Sequence, residues 1–579
     1  MLHKLLFFLM ICACLPKLAV ATESPKEFDK RMEWYNDARF GMFLHWGVYS
    51  TLEGKWQGKN VHGYAEWIHA KGKIPADQYQ KQAIKFQPTN FDADKWIRTA
   101  KDAGMKYFVI TTKHHEGYCL WDSAYTKYDI KDASGWKIDP LAELSKACKK
   151  YGIRFGTYYS LTDWHHASQN RKGDVKGHAT KMKSPQAKKE YVQYMKNQIR
   201  ELIEKYDTDI LWFDGDWVSW WTLEDGADLY AYIRSLKPSI IINNRVSKRS
   251  QFKKDFGTPE NFTPGAKLDY YWEACWTINH SWGFKKSDTN WTSTQSLVQK
   301  MVDIASKGGN LLLNIGPKSD GSFPEACTTR LLEMGQWLDK NGEAYYGTDF
   351  SEVPKPSWGR VTQKGKKLYL HVFDWPKNGL LKLDKIKLKK AKAYLLVDKT
   401  TALPIKVNQT SIEIKLPQKA PNNISAVICL KFKGKLKTLT QKDSLGLKGS
   451  DLYLEAKNVD VSGKGPLKVE SNKNLGYWSS TDNKATWEFE NGAPTTYEIE
   501  LHYAVPSSYS GAKFLLECNG KKFTGKVKAT NNWNDYQIHN VGRVTINSVE
   551  RHKITLTKKG QKGKALFNLK GVILRPITK

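Results

Sequence analysis

Acid is scarce in this chain. Its 579 residues carry 59 Asp and Glu against 91 Lys and Arg, a formal net charge of +32. That imbalance does not specify a fold, but it points to anionic partners: nucleic acid, charged surfaces or acidic polysaccharides. Runs such as "LLKLDKIKLKKAKAYLLVDK" (380–399) also read simply as solvated strand faces. Cysteine is sparse and scattered. Of eight, six (Cys119, Cys148, Cys275, Cys327, Cys429, Cys518) lie beyond the leader, with no CxxC pair and no metal-ligand spacing. A zinc site is therefore not expected, and buried free thiols are. Long apolar runs are missing as well. The run from Leu5 to Cys14 is too short to span a bilayer, so no transmembrane helix is expected. With its basic start and the small residues Ala19 and Ala21, it reads as an export signal over 1–21. "ICAC" resembles a lipoprotein box, with Cys14 as the anchor in that alternative. The expected location is periplasmic or secreted, and nucleic acid is not an expected partner. No glycine-rich phosphate loop follows the first strand, which argues against a doubly wound nucleotide-binding sheet.

What the sequence has in abundance is aromatic residues, 22 of them Trp. Aromatic faces stack on the apolar face of a pyranose, although most Trp fill cores. From about residue 30 to 345, short apolar runs alternate with amphipathic stretches such as "SPQAKKEYVQYMKNQIRELIEKY" (184–206). This alternation predicts a parallel sheet, a (β/α)8-type barrel over 22–348. Period-2 strands with turn signals then predict a β-sandwich over 349–440 and a second over 441–579.

Several of the barrel runs end in polar groups: "KYFVITTKHH" (106–115), "RFGTYYSLTDWH" (154–165), "DILWFDGDW" (209–217) and "SIIINNR" (239–245). Barrel chemistry sits at the C-terminal ends of strands. His114, His115, Tyr159, Asp163, Asp214, Asn244 and Arg245 all stand there. Asp214 is flanked by Trp212 and Phe213, and a carboxylate beside rings costs several kcal/mol unless it is paired or used.

These motifs, in order, resemble the α-L-fucosidases of glycoside hydrolase family 29. "RFGMFLHWGVYS" (39–50), "YAEWI" (64–68), "TTKHHEGYCLWDS" (111–123), "YYSLTDWH" (158–165), "LWFDGDW", "INNR" (242–245), "DFGTPE" (255–260), "WEACWTINHSWGF" (272–284) and "GGNLLLNIGPKSDG" (308–321) carry the resemblance. It implies a retaining, exo-acting hydrolase of terminal α-L-fucosyl residues, without metal or cofactor. By motif match the nucleophile falls on Asp214. The acid/base falls on Glu260, with Glu273 the alternative, and Asp216 reads as structural. His45, Glu66, His114, His115 and Tyr159 are implied ligands of the sugar hydroxyls, with Arg245 beside the nucleophile. Trp67 and Trp282 are the implied apolar wall, and Phe43 or Trp282 the seat for the C5 methyl. The last domain resembles carbohydrate-binding modules, with Trp478 or Trp533 able to stack on a sugar. The expected partner is a fucosylated oligo- or polysaccharide, with sulfated fucans suggested by the charge. An α-L-galactosidase and a catalytically silent glycan-binding protein are the alternatives.

Overall fold

The computed structural model describes residues 23–577, apart from 171–180, 439–451 and the short stretches 250, 252–254, 262, 265–267, 269, 457–458, 464, 471–472, 491–493, 548–550 and 561–564. The leader and Cys14 lie outside the described residues.

Seven strands form one parallel sheet: β1 (Phe40–Leu44), β2 (Tyr107–Lys113), β3 (Arg154–Ser160), β4 (Ile210–Asp214), β5 (Ile241–Ile242), β6 (Glu273–Thr277) and β7 (Asn310–Ile315). Their order is β6-β7-β1-β2-β3-β4-β5, and every neighbouring pair is parallel. The sheet curls as a half-barrel. Between its end strands, isolated parallel bridges join Asn243 to Phe256 and Gly257 to Trp272.

Both faces of the sheet are covered, as parallel sheets require. Side chains alternate along each strand. Phe43, Val109, Tyr158, Trp212, Cys275 and Leu312 belong to one buried cluster on the inner face. Their neighbours Met42, Ile110, Tyr159, Phe213, Ala274 and Leu313 belong to another, shared with the surrounding helices. Met32 and Tyr35, from helix Pro25–Ala38, join the inner cluster.

Local signals fix the helix ends. Asp139 accepts from the amides of Leu141 and Ala142 (2.9 and 3.1 Å) to start helix Pro140–Tyr151, with Pro at its first position. Gly152 ends it in the left-handed region at φ 67°.

Antiparallel sheets follow. A six-stranded and a three-stranded sheet enclose the apolar core from Val353 to Phe432. This unit packs on the helices of the parallel sheet: Trp337 Nε1 donates to the Ser425 carbonyl at 2.9 Å, and Arg360 pairs with Asp303. A further six-stranded and five-stranded sheet surround the core from Ala456 to Leu574. Trp478 is fully buried in that core, so it has no face to offer a sugar. Trp533 is only partly buried, with Tyr509 tilted against it at 5.0 Å. All six described cysteines are buried free thiols. Among the described residues no helix is long and apolar enough to cross a membrane.

Candidate active site

Asp214 ends β4, and Arg245 follows the short strand β5 next to it. The guanidinium of Arg245 is buried against the face of Trp212, 4.5 Å from the ring centre. It forks between two carboxylates: one terminal nitrogen donates to Asp214 Oδ1 at 2.8 Å, the other to Glu260 Oε2 at 3.0 Å. Its Nε donates to Thr258 Oγ1 at 2.8 Å, which fixes the plane of the fork. Arg249 reaches Asp214 Oδ1 from outside at 3.3 Å. On the other oxygen, Oδ2, Asp214 has among the described residues only the Tyr158 hydroxyl at 3.3 Å and His115 Nε2 at 3.7 Å. Burial raises the Asp214 pKa, but Arg245, His115 and Arg249 together outweigh it and hold the carboxyl well below its ordinary range. It is an ionised, oriented oxygen in a water-poor place.

Glu260 comes from a loop rather than a strand end. The loop is pinned to β6: Cys275 donates its amide to the Pro259 carbonyl (3.1 Å), and Asn261 donates to the Cys275 carbonyl (2.9 Å). Asn261 takes a left-handed φ of 49°, which Asn tolerates better than most residues. The Glu260 side chain is 37% exposed, unlike Asp214 at 13%. A proton can therefore reach it from solvent.

These groups face a cleft of about 360 Å³, measured to its open mouth. Phe43, His45, Glu66, Trp67, His114 and Trp282 line it together with Asp214, Arg245 and Glu260. His45 shares a hydrogen bond with the Asn314 side-chain oxygen at 2.7 Å, and Asn314 in turn donates to the Trp282 carbonyl. Burial, with His114 adjacent, pushes the His45 pKa down to about 3, so the ring is neutral. Glu66 accepts the Gly283 amide on Oε2 at 2.9 Å, while its buried Oε1 has no partner among the described residues. Burial pushes its pKa up to about 7. Neutral His and a proton-bearing Glu can each donate and accept, which is what vicinal hydroxyls need. Phe43, Trp67 and Trp282 supply the apolar wall.

Three expected site residues do not line the cleft. Tyr159 does not reach the cleft. It is on the outer face of β3, its hydroxyl donating to Gln198 at 2.8 Å beneath the helices. Strand alternation puts Tyr158 in the cleft instead. Glu273 is below the cleft floor. It opens β6 rather than ending it, and its oxygens accept from Tyr107 (2.5 Å), Trp212 Nε1 (3.0 Å) and Tyr35 (3.2 Å). Walled by these rings, it cannot reach a glycosidic oxygen held beside Asp214. His115 stands just behind the lining. Its Nδ1 is 2.7 Å from Ser160 Oγ, and its ring lies 5.0 Å from that of Trp67.

The cleft also holds residues the motifs did not single out: Tyr64, Tyr158, Trp212 and Cys275. Trp212 was readable, because it stands two residues before Asp214 on the same strand face. Asp216 is turned away from the cleft and binds Arg249 Nε through both oxygens at 2.9 Å.

Comparison with known proteins agrees with this geometry. The family model described as "Alpha-L-fucosidase" matches residues 16–343. An α-L-fucosidase of Dictyostelium discoideum is 30% identical over 424 residues, covering 67% of this chain and 89% of that protein. The structure of an α-L-fucosidase from Vibrio sp. strain EJY3 superposes with a TM-score of 0.71 at 26% identity, covering 94% of this chain and 98% of that one. A Bacteroides thetaiotaomicron α-L-fucosidase trapped as a covalent intermediate with 2-fluoro-fucosyl fluoride superposes at 0.65 with 31% identity, covering 71% and 97%. With this match over more than half its length, and two carboxylates forked by one arginine in the cleft, the chain belongs to the α-L-fucosidase family of glycoside hydrolases.

Proposed function

We propose that the protein is a retaining exo-α-L-fucosidase in which Asp214 is the nucleophile and Glu260 the acid/base. The observation that carries this reading is the Arg245 fork to both carboxylates. A double displacement requires the two carboxyls ~5–5.5 Å apart, a span that one guanidinium between them can set.

In the first step Asp214 Oδ2, the oxygen free of arginine, attacks the anomeric carbon. Glu260 gives its proton to the departing glycosidic oxygen, and a fucosyl ester forms on Asp214. Once that ester is neutral, Arg245 keeps a single anionic partner, Glu260, in the carboxylate form the second step uses. Glu260 then takes a proton from water, the water oxygen bonds to the anomeric carbon, and Asp214 departs as carboxylate. His45, Glu66 and His114 bind the hydroxyls, while Phe43 and Trp282 seat the C5 methyl. His115 acts on Asp214 from behind.

A terminal sugar suits the cleft, because Phe43, Trp67, Trp212 and Trp282 wall it into a single narrow pocket. The apolar seat favours L-fucose over L-galactose, whose extra hydroxyl it rejects only modestly. We read the bridges at Phe256 and Gly257 as a residual eighth strand that closes a (β/α)8 barrel over 22–348. We read 349–440 as a β-sandwich and 441–579 as a carbohydrate-binding-module-like domain. The leader-like residues 1–21 support export, with a Cys14 lipid anchor as the alternative. The net charge of +32 supports a sulfated glycan as the natural target.

Retention is tested by NMR of the first product released from an aryl α-L-fucoside. α-L-Fucose appearing before mutarotation supports the reading, and β-L-fucose overturns it. No release of fucose at all would favour a silent binding protein.

A further inference from the structure

The antiparallel units differ in how much unpaired like charge their sheets bring together. In the C-terminal one, charges that face each other across strands are mostly complementary, Lys513 opposite Lys526 and Lys559 being the exception. Glu488 stands opposite Lys553 (3.2 Å), Glu498 opposite Arg543 (3.5 Å) and Glu517 opposite Lys522 (3.4 Å). The six-stranded sheet of the first unit does the reverse. Across its strands Lys367–Val372, Ala426–Lys433 and Lys390–Leu395, Lys431 stands directly opposite both Lys367 and Lys392, and Lys433 opposite Lys390.

All five lysines share one face, since their neighbours Leu368, Ala393 and Phe432 point into the core on the other side. The same face packs on the parallel-sheet unit at Val427 and Cys429, and then emerges as lysine. Lys367 reaches one acid, Glu343, at 2.7 Å. Lys390, Lys392, Lys431 and Lys433 are exposed and have no carboxylate partner among the described residues. Like charges placed directly opposite each other destabilise a sheet. The arrangement repels itself unless an external anion lies across it.

We propose that this lysine face is a docking surface for a sulfated polysaccharide. The strands set the spacing. Their Cα atoms repeat about every 4.8 Å across strands and ~6.7 Å along them, within reach of flexible stems that let more than one ammonium close on each sulfate ester of an extended chain. Lysine suits sulfate as a mobile point charge. Of the aromatic side chains on this face, Tyr369 is buried and Tyr394 is half-buried with Lys431 over its ring at 5.6 Å, so among the described residues the face offers no open ring for base stacking, the usual partner of a basic groove that tracks single-stranded nucleic acid. The choice of a glycan rests on the fucosidase reading above. The surface lies outside the cleft, so it concentrates substrate without touching the reacting sugar.

The test uses the full chain and two triple variants of equal charge change. One is Lys392→Ser/Lys431→Ser/Lys433→Ser. The other, a control on the C-terminal unit, is Lys484→Ser/Lys522→Ser/Lys553→Ser. Dextran sulfate, dextran, polygalacturonate and a poly(dT) oligonucleotide are compared by affinity electrophoresis over a salt series. Expected results are binding of dextran sulfate but not dextran, a tenfold or greater loss in the first variant, and less than a twofold loss in the control. Dextran sulfate should also raise the Tm of the wild type and of the control, but not of the first variant. Equal losses in both variants, equal binding of polygalacturonate, or tighter binding of poly(dT) would overturn the proposal. Turnover of an aryl fucoside is read separately, so failure of the catalytic reading and failure of the docking reading are distinguishable.

Discussion

Asp214 and Glu273 are carboxyls on strands of one sheet, one layer apart, the first mostly and the second fully buried, and their surroundings drive them in opposite directions. Asp214 sits at a strand's C-terminal end among cations, which hold it ionised against the cost of burial. Glu273 sits at a strand's start among phenols and an indole. Burial pushes its pKa up to about 7, and its neutral donors only moderate the rise. Trp212 joins the two layers: its Nε1 donates to Glu273 and its face carries Arg245. The difference teaches that residue type does not decide which carboxyl is held ionised. A neighbouring guanidinium and an open side do.

The largest way to break that comparison is at Asp214. Asp214→Asn should keep the fold, by circular dichroism and Tm, while kcat falls on the order of 10⁴-fold or more. Azide added to Asp214→Ala should restore part of the turnover and release β-fucosyl azide. Near-normal activity in either variant contradicts the assignment.

Arg245→Met comes next. It strips the fork and leaves Asp214 only the longer contact to Arg249, a loss of at most about 3–5 kcal/mol readable as a drop in urea midpoint. Asp214 then loses the nearer of the two guanidiniums that keep it ionised, so its pKa rises. The acid limb of the kcat/KM profile should move to higher pH, and an unmoved limb would separate Arg245 from the nucleophile.

Glu273→Gln sharpens the contrast with a smaller effect. The folded pKa of Glu273 is raised, so the unfolded chain ionises first as pH increases. Wild-type stability should therefore fall between pH ~4.5 and ~7, by on the order of 3 kcal/mol. The Gln variant should lose that part of the slope while kcat stays within a few-fold. Glu66 shifts in the same direction, so a shallower fall persists in the variant.

Smallest is the pair of tyrosines. Tyr159→Phe removes one buried hydrogen bond, about 1 kcal/mol of stability, and leaves KM unchanged. Tyr158→Phe removes a contact to Asp214 and should alter kcat/KM. If Tyr159→Phe changes KM and Tyr158→Phe does not, the strand register is wrong.

Much of this site was legible because strands end where chemistry sits. Asp214, Arg245 and His114 were all found as polar tails on apolar runs. Tyr159 was misplaced because adjacent tyrosines differ only in parity, and parity relative to the cleft needs the register between strands. That register pairs Tyr158 with Trp212 and Ser160 with Asp214. Glu273 could have been set aside from its own motif: "WEACWT" has the acid before the apolar run, at the buried start of the strand. Glu260 had no such signal, since a loop carries no periodicity, and only the motif resemblance reached it. The parallel unit was foreseen from its alternation, but not the reduction of the stretch after β5 to isolated bridges at Phe256 and Gly257, which no apolar run marks.

The central claim is that Glu260 protonates the leaving group while Glu273 only supports the floor. Hydrolysis of a series of aryl α-L-fucosides of increasing leaving-group pKa tests it most directly, with Glu260→Ala and Glu273→Gln measured beside the wild type. The account predicts that Glu260→Ala loses ~10²–10⁴-fold on the most basic leaving groups and little on dinitrophenolate, while Glu273→Gln follows the wild-type slope. A steep slope for Glu273→Gln with a flat one for Glu260→Ala would contradict it.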